Sequence, residues 1–267
     1  MFHNAQGGIV KLDKGDMDYI SFGSGEKCLV MIPGLGDGLK TVKGYQIPFS
    51  IMYSKYASKY KVYVFSRRYG LTEGETTRDM AKDIASAMSR LNIPRADVLG
   101  VSQGGMIAQY LAIDYPAEVN KLVLTVTLSK PNETAIKVVG DWIKMAKEGD
   151  YKGLFIDTAE KTYSEKYLKK NRWLYPLMGR VGKPKDFSRF IIMANACINH
   201  NSYCDLEKIK SPTLVIGGDS DKIVTGKASK EIAEKIKGSK LFMYEGLGHG
   251  LYEEAKNFNS RVLDFLG

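Results

Sequence analysis

One serine, one histidine and a pair of aspartates have the types and the spacing to do chemistry together. Ser102 stands in Gly100-Val101-Ser102-Gln103-Gly104, with apolar residues before it and Met106-Ile107-Ala108 after it. This reads as a short β-run, a tight turn with the serine at its tip, and the start of an amphipathic helix. Glycines at these positions let strand and helix approach closely while the serine takes a strained backbone conformation that pushes its hydroxyl outward. Such strain is kept where an exposed nucleophile is needed. The five-residue pattern alone also arises by chance in chains of this length, so its weight rests on its surroundings.

An activated serine needs a base, and the base needs an acid to orient it. The chain has three histidines. His3 lies in the terminal stretch and His200 in a helical middle segment. His249 lies in Gly246-Leu247-Gly248-His249-Gly250, the loop leaving the last strand, where glycines let an imidazole come close to another loop. Alone it would read as a surface-turn histidine; beside Ser102 it reads as the base. The acid is sought in Gly217-Gly218-Asp219-Ser220-Asp221, directly after a strand. Either aspartate could serve, and aspartates in such turns also act simply as turn formers. A metal role for the pair lacks neighbouring ligands. Cys197, His200 and Cys204 offer soft ligands on one segment, but no fourth is evident and the spacing fits no standard zinc site. The segment is read as buried thiols, with no metal or cofactor expected.

The elements that must position these residues follow from periodicity. Residues 9–12 and 17–22 read as a hairpin, and 28–32 as a strand buried on both faces. That strand ends in the glycine-rich loop Pro33-Gly34-Leu35-Gly36-Asp37-Gly38, which matches no phosphate-binding pattern. Helical periodicity follows over 49–58, then a strand over 62–65. Thr76 or Thr77 can cap a helix whose apolar stripe is Met80, Ile84, Met88 and Leu91. After the strand into Ser102 and its helix come a strand at 122–126, another at 213–216, a helix over 227–237, a strand at 241–244 and a final helix over 252–265. Strands alternating with helices of crossover length argue for an α/β fold with a doubly wound, mostly parallel sheet. From about 131 to 203 no strand is expected, only helical stretches rich in aromatic residues. Residues 1–130 and 206–267 are therefore read as the core, and 131–205 as a helical cap over the sheet edge where open α/β folds bind ligands.

Composition narrows the function classes. Apolar residues make up 44% and charged residues 26%, the balance of a globular chain rather than a disordered one. The 39 lysines and arginines against 30 acidic residues give a net charge of +9. The lysines alternate with acidic residues along helical faces, which points to a solvated surface rather than nucleic-acid binding, and no nucleic-acid-binding signature is present. No segment is long and apolar enough to span a bilayer. The first eight residues lack the pattern of a signal peptide, and Cys28, Cys197 and Cys204 are few and scattered, so a cytoplasmic chain with reduced thiols is expected. The partner expected is a small-molecule acyl substrate.

The order Ser, Asp, His, each on a loop after a strand, resembles that of the α/β-hydrolases, and the chain is similar to their cap-bearing members over nearly its whole length. The motifs that carry the likeness are Gly100-Val101-Ser102-Gln103-Gly104, the stretch from Pro212 through Gly217-Gly218-Asp219-Ser220-Asp221-Lys222-Ile223-Val224, and Gly248-His249. The resemblance implies Asp221 rather than Asp219 as the acid, and an oxyanion hole made by the backbone N–H groups of Leu35 and Gln103. It also implies a serine hydrolase that cleaves a small carboxylic ester or related bond through an acyl-enzyme. Acyl transfer or perhydrolysis on the same residues, and a ligand-binding or signalling protein with little turnover, are the alternatives. Serine rather than aspartate at 102 argues against epoxide hydrolase and haloalkane dehalogenase chemistry. Relatives often have His-Gly where this chain has Pro33-Gly34, which leaves the Leu35 amide untouched, and Thr225 stands where perhydrolase-like members often have proline.

Overall fold

The computed structural model describes residues 3–267, so the N-terminal reading falls partly on residues 1 and 2, outside the described residues. The chain opens with β1 (Gln6–Leu12) and β2 (Gly15–Phe22), an antiparallel hairpin, followed by β3 (Lys27–Ile32). Next come α1 (Gln46–Met52), β4 (Tyr60–Phe65), α2 (Thr77–Arg90), β5 (Ala96–Val101), α3 (Gln103–Asp114) and β6 (Val119–Thr125). Five helices then follow without a strand: α4 (Glu133–Lys147), α5 (Tyr151–Thr162), α6 (Glu165–Asn171), α7 (Tyr175–Met178) and α8 (Ser188–Ile198). The sheet resumes with β7 (Thr213–Gly218), α9 (Gly226–Lys235) and β8 (Lys240–Tyr244), and the chain ends in α10 (Leu251–Glu254) and α11 (Phe258–Leu266).

The eight strands form one sheet in the order β1-β2-β4-β3-β5-β6-β7-β8. Only β1–β2 and β2–β4 pair antiparallel; every other neighbour pair is parallel. The chain steps outward from β3 to β4 and then returns to place β5 on the other flank of β3. That reversal makes the C-terminal ends of β3 and β5 a topological switch point, the crevice where open α/β sheets bind ligands. Alternation along the central strands divides the core. Val30, Ile32, Val98 and Leu124 pack under α2 and α3, whereas Leu29, Met31, Leu99 and Val123 pack toward α11. Strands buried on both faces explain the unbroken apolar runs.

Thr76 is the cap of α2: its hydroxyl accepts from the Asp79 amide while Asp79 reaches back to the Thr76 amide. Three expectations need correction. The helix after Ser102 is not amphipathic, because Gln103 through Ile113 are all buried; strands lie beneath it, and α2 and the 3-10 segment Tyr203–Lys208 cover it. The helix expected over 49–58 starts earlier, at Gln46, and gives way after Met52 to a 3-10 turn, Ser54–Tyr56, that buries Tyr56. The final helix is broken at Ala255, whose backbone is extended. Its first turn is tied to the helical segment, with Gly250 donating to the Thr162 carbonyl at 2.7 Å and Glu254 accepting from the Ser164 amide at 3.0 Å. Phe258 and Val262, beyond the break, are drawn into the core.

The helices between β6 and β7 differ in how they are anchored. Ala135, Val139, Trp142, Phe190 and Met193 of α4 and α8 belong to the main core. Ala159, Leu168 and Tyr175 form a separate small cluster farther out. Among the described residues no helix is long and apolar enough to cross a membrane.

Candidate active site

Ser102 has φ +53° and ψ −119°, a conformation that costs a non-glycine residue about 1–3 kcal/mol. Its neighbours hold it there. The Ser102 amide donates to the Thr125 carbonyl at 2.9 Å, and the Thr127 hydroxyl donates to the Ser102 carbonyl at 2.8 Å. The flanking glycines are required by contact. A Cβ on Gly100 would lie 2.4 Å from the Gly104 oxygen, and one on Gly104 would lie 1.9 Å from the Ile32 oxygen. With side chains there, α3 could not sit against β5 and β3, and the serine would not be presented above the sheet.

His249 arrives on the loop after β8 and Asp221 on the loop after β7. His249 Nε2 lies 2.9 Å from Ser102 Oγ, and His249 Nδ1 lies 2.8 Å from Asp221 Oδ2. The other Asp221 oxygen, Oδ1, accepts from the amides of Ile223 at 2.8 Å and Val224 at 3.0 Å. Burial alone would raise the Asp221 carboxyl; the adjoining His249 and these backbone amides outweigh it and hold the group below the usual carboxylate range. An ionised Asp221 places the ring proton on Nδ1 and leaves Nε2 free to accept from the serine hydroxyl. Asp219 is exposed and turned away, its Oδ1 accepting from the Gly246 amide at 2.9 Å. It fastens the β7 and β8 loops to each other and does not meet the histidine.

The loop after β3 comes up beside Ser102. A Cβ on Gly34 would lie 3.3 Å from the Ser102 Cβ. Leu35 and Gln103 each begin a helix, so neither amide can bond within its own helix. Among the described residues neither has another acceptor. Beneath them runs a buried polar network that sequence reasoning missed. Arg67 Nη2 donates to the Pro33 carbonyl and to Gln103 Oε1, and Gln103 Nε2 donates to the Met193 carbonyl at 2.6 Å. Arg189 of α8 donates to Asp37 Oδ2 at 2.7 Å and to the Arg67 carbonyl at 2.8 Å. Burial pulls the Arg67 guanidinium down to about 10, with Asp37 acting in the opposite sense. The available signal was the Arg67-Arg68 doublet immediately after a buried strand.

Ser102 and His249 open into a cavity of about 810 Å³. Trp142, Phe155, Tyr163, Tyr175 and Phe190 form part of its roof; Trp173 and Phe187, from the same aromatic stretch, do not line it. Two acidic groups lie in the wall: Asp37, paired with Arg189, and Glu253, which accepts from the Tyr163 hydroxyl at 2.7 Å and whose carboxyl is pushed up by its enclosure. A second, smaller cavity of about 30 Å³ adjoins Ser102 between Met106, Leu128 and Trp142.

Of the side chains considered for a metal clip, His200 and Cys197 are buried and engaged elsewhere. His200 is buried, with Nδ1 at 2.7 Å from the Thr77 hydroxyl and Nε2 at 3.2 Å from Ser202 Oγ. Cys197 Sγ accepts from Gln103 Nε2 at 3.0 Å; Cys204 is exposed, so the expectation of buried thiols is corrected there. Among the described residues no group of three His, Cys, Asp or Glu side chains is placed to hold a metal ion.

Comparison with known proteins agrees with this architecture. A hydrolase of Pseudomonas named for 2-hydroxy-6-oxononadienedioate and 2-hydroxy-6-oxononatrienedioate is 23% identical over 256 residues, covering 91% of this chain and 89% of its own. The enol-lactonase of Burkholderia xenovorans superposes with a TM-score of 0.83 at 19% identity, over 97% of this chain and 99% of its own. An α/β hydrolase from a Medee basin deep-sea metagenome superposes with a TM-score of 0.82 at 21% identity, over 97% of both chains. The family model for the alpha/beta hydrolase fold matches residues 27–256, and the chain belongs to that family.

Proposed function

We propose that this chain is a serine hydrolase that cleaves a small-molecule carboxylic ester or related acyl bond. The observation that carries this reading is the unbroken relay from Asp221 through His249 to Ser102 on the floor of the large cavity. Ser102 Oγ attacks the acyl carbon as its proton passes to His249 Nε2, and Asp221 holds the ring and stabilises the imidazolium. The oxyanion is received by the amides of Leu35 and Gln103, each such donor contributing about 3 kcal/mol to the barrier reduction. His249 returns the proton to the leaving group, and water, deprotonated by the same nitrogen, releases the acyl chain. Arg67 and Gln103 hold the two oxyanion donors in register from below. Residues 131–205 act as the cap, with α4 and α8 sharing the main core and α5 to α7 roofing the substrate.

The cavity wall refines the substrate class. It is mostly aromatic and aliphatic; Asp37 is paired with Arg189, Lys40 stands at an exposed edge, and Glu253, which has no basic partner within ion-pair distance among the described residues, opposes a second carboxylate. A neutral substrate fits better than a dioate such as the one named for the Pseudomonas relative. The test is labelling with a fluorophosphonate, read by intact mass, followed by a panel of chromogenic esters of increasing acyl length. A single adduct on the native chain and none on Ser102→Ala is expected; equal labelling of both would remove Ser102 from its role.

A further inference from the structure

The mouth of the large cavity carries an apolar rim set in basic charge. Met52 of α1 and Met178 of α7 both line the cavity and yet are 39% and 48% exposed, which puts them where it opens to solvent. Next to them in the chain, Ile51 precedes Met52, and Trp173, Leu177 and Val181, the last bonded through its amide to the Met178 carbonyl, flank Met178; they stand 60%, 74%, 62% and 70% exposed. Single exposed apolar residues are ordinary, but several large ones gathered at a cavity mouth mark an interaction surface. Between residues 165 and 185 there are seven lysines and arginines against one acidic residue, Glu165. Arg172 is taken up by Glu160 and Glu165. The other six, Lys166, Lys169, Lys170, Arg180, Lys183 and Lys185, are exposed and have no carboxylate within ion-pair distance among the described residues.

We infer that this rim is a docking surface for an anionic lipid bilayer, with Trp173, Leu177 and Val181 entering the interface and the surrounding lysines and arginines facing the headgroups. An exposed tryptophan beside aliphatic side chains, ringed by basic residues, is the composition that settles at a charged membrane surface. A protein partner of ordinary surface would leave six uncompensated cations without a match, whereas an anionic bilayer supplies a continuous field of negative charge. Docking in this orientation turns the cavity mouth toward the lipid, so an acyl chain passes from bilayer to Ser102 without crossing water. That delivery step rests on the proposed hydrolase activity; docking itself does not.

The test is cosedimentation of the full chain with vesicles of phosphatidylcholine alone or mixed equally with phosphatidylglycerol. The native chain and Ser102→Ala are both expected to sediment with the mixed vesicles and to bind the neutral ones at least about tenfold more weakly. Combined Trp173→Ser, Leu177→Ser and Val181→Ser should lose that binding by about tenfold or more, as should combined Lys169→Gln, Lys170→Gln and Arg180→Gln. Melting curves matching the native chain show that the variants are folded. Native chain that stays in solution with both vesicle types, or a serine-substituted rim that sediments as before, overturns the inference. So does a native dimer, seen by light scattering, that the rim substitutions convert to monomer while vesicle binding is absent; the rim would then belong to a second copy of this chain. Vesicle binding by Ser102→Ala without any ester hydrolysis by the native chain would leave docking standing and overturn only the delivery step.

Discussion

The floor of the cavity and its roof are built on different physical terms. The floor is made where parallel strands end: β3 delivers the Gly34-Leu35 loop, β5 delivers Ser102, and β7 and β8 deliver Asp221 and His249. Strand spacing and register fix those ends relative to each other, so a few short loops suffice to bring three side chains within hydrogen-bond reach. The roof has no such frame. Its outer helices rest on a cluster of three buried residues and expose much apolar surface at the cavity mouth. A rigid frame can hold one chemistry while a loosely anchored roof sets which molecule reaches it. Substitutions in the floor should therefore alter rate or folding severely, and those in the roof should alter selection mildly.

The largest expected effect separates two aspartates two residues apart. Asp221→Asn keeps the side-chain shape but donates where the histidine needs an acceptor, which favours the wrong tautomer. By analogy with the same change in serine proteases, kcat should fall about ten-thousand-fold. Asp219→Asn, whose native carboxylate accepts from the loop amide of Gly246 and the neighbouring Ser220 hydroxyl and does not meet the histidine, should lose less than about tenfold. Steady-state rates on one chromogenic ester decide the matter, and equal losses would remove the distinction between the two.

Glycines test the same contrast through stability. Gly104→Ala forces a methyl group against the Ile32 carbonyl, a backbone atom that cannot turn aside. It should cost about 3 kcal/mol, or about 10 °C in melting temperature for a domain of this size. A Cβ on Gly140, in α4 of the roof, would meet no other atom within 4 Å. Gly140→Ala should stabilise the chain by about 0.5 kcal/mol through lower unfolded-state entropy, read by urea denaturation.

His200 stands at the seam between roof and floor. It follows α8 and bonds to Thr77 on α2, and through Ser202 to Gln109 on α3. Burial lowers its pKa to about 3 from an ordinary 6.5, so the folded chain holds the ring neutral where the unfolded chain binds a proton. Stability is therefore lost as the pH falls through 6.5 toward 3, by about 1.4 kcal/mol per unit of pH. His200→Gln removes the titration. Its unfolding free energy should fall less steeply than the native one between pH 6 and pH 4, by about 2.7 kcal/mol over the interval. Parallel pH profiles would show that His200 is not buried neutral.

How much of this was legible in the sequence divides along the same line. Buried strands announce themselves as apolar runs, and glycines mark the turns at their ends, so the meeting of Ser102, His249 and the aspartate turn could be anticipated from those turns and their chain order. What could not be read depends on contacts between distant segments. Nothing local to Gln103 shows that its side chain bridges Arg67 and α8. Nothing in the α3 pattern shows that its polar-looking face is covered. The aromatic stretch of the roof gave composition without direction: Trp142 and Phe155 turn into the cavity while Trp173 turns out to solvent. Helical periodicity specifies which residues share a face, but not what that face meets.

The smallest expected effect on catalysis through a charge is also the one that speaks most directly to selection. Glu253 lies four residues beyond His249, in the short helix that the roof pins through Thr162 and Ser164, so floor and roof share responsibility for where its carboxylate points. Tyr163 donates to one of its oxygens, and partial desolvation together with the neighbouring Glu254 raises its pKa. A substrate carrying its own carboxylate would bring a second negative charge into this wall. Glu253→Gln removes that repulsion and keeps an acceptor for Tyr163. For an ester with an anionic acyl terminus, kcat/KM should rise about fivefold, mainly through KM, since the interaction lies away from the reacting carbonyl and acts on ground and transition states alike. For a neutral ester of the same length it should change less than about twofold. An equal change for both esters would mean that Glu253 shapes the wall without screening charge, and selection would then rest on the aromatic roof alone.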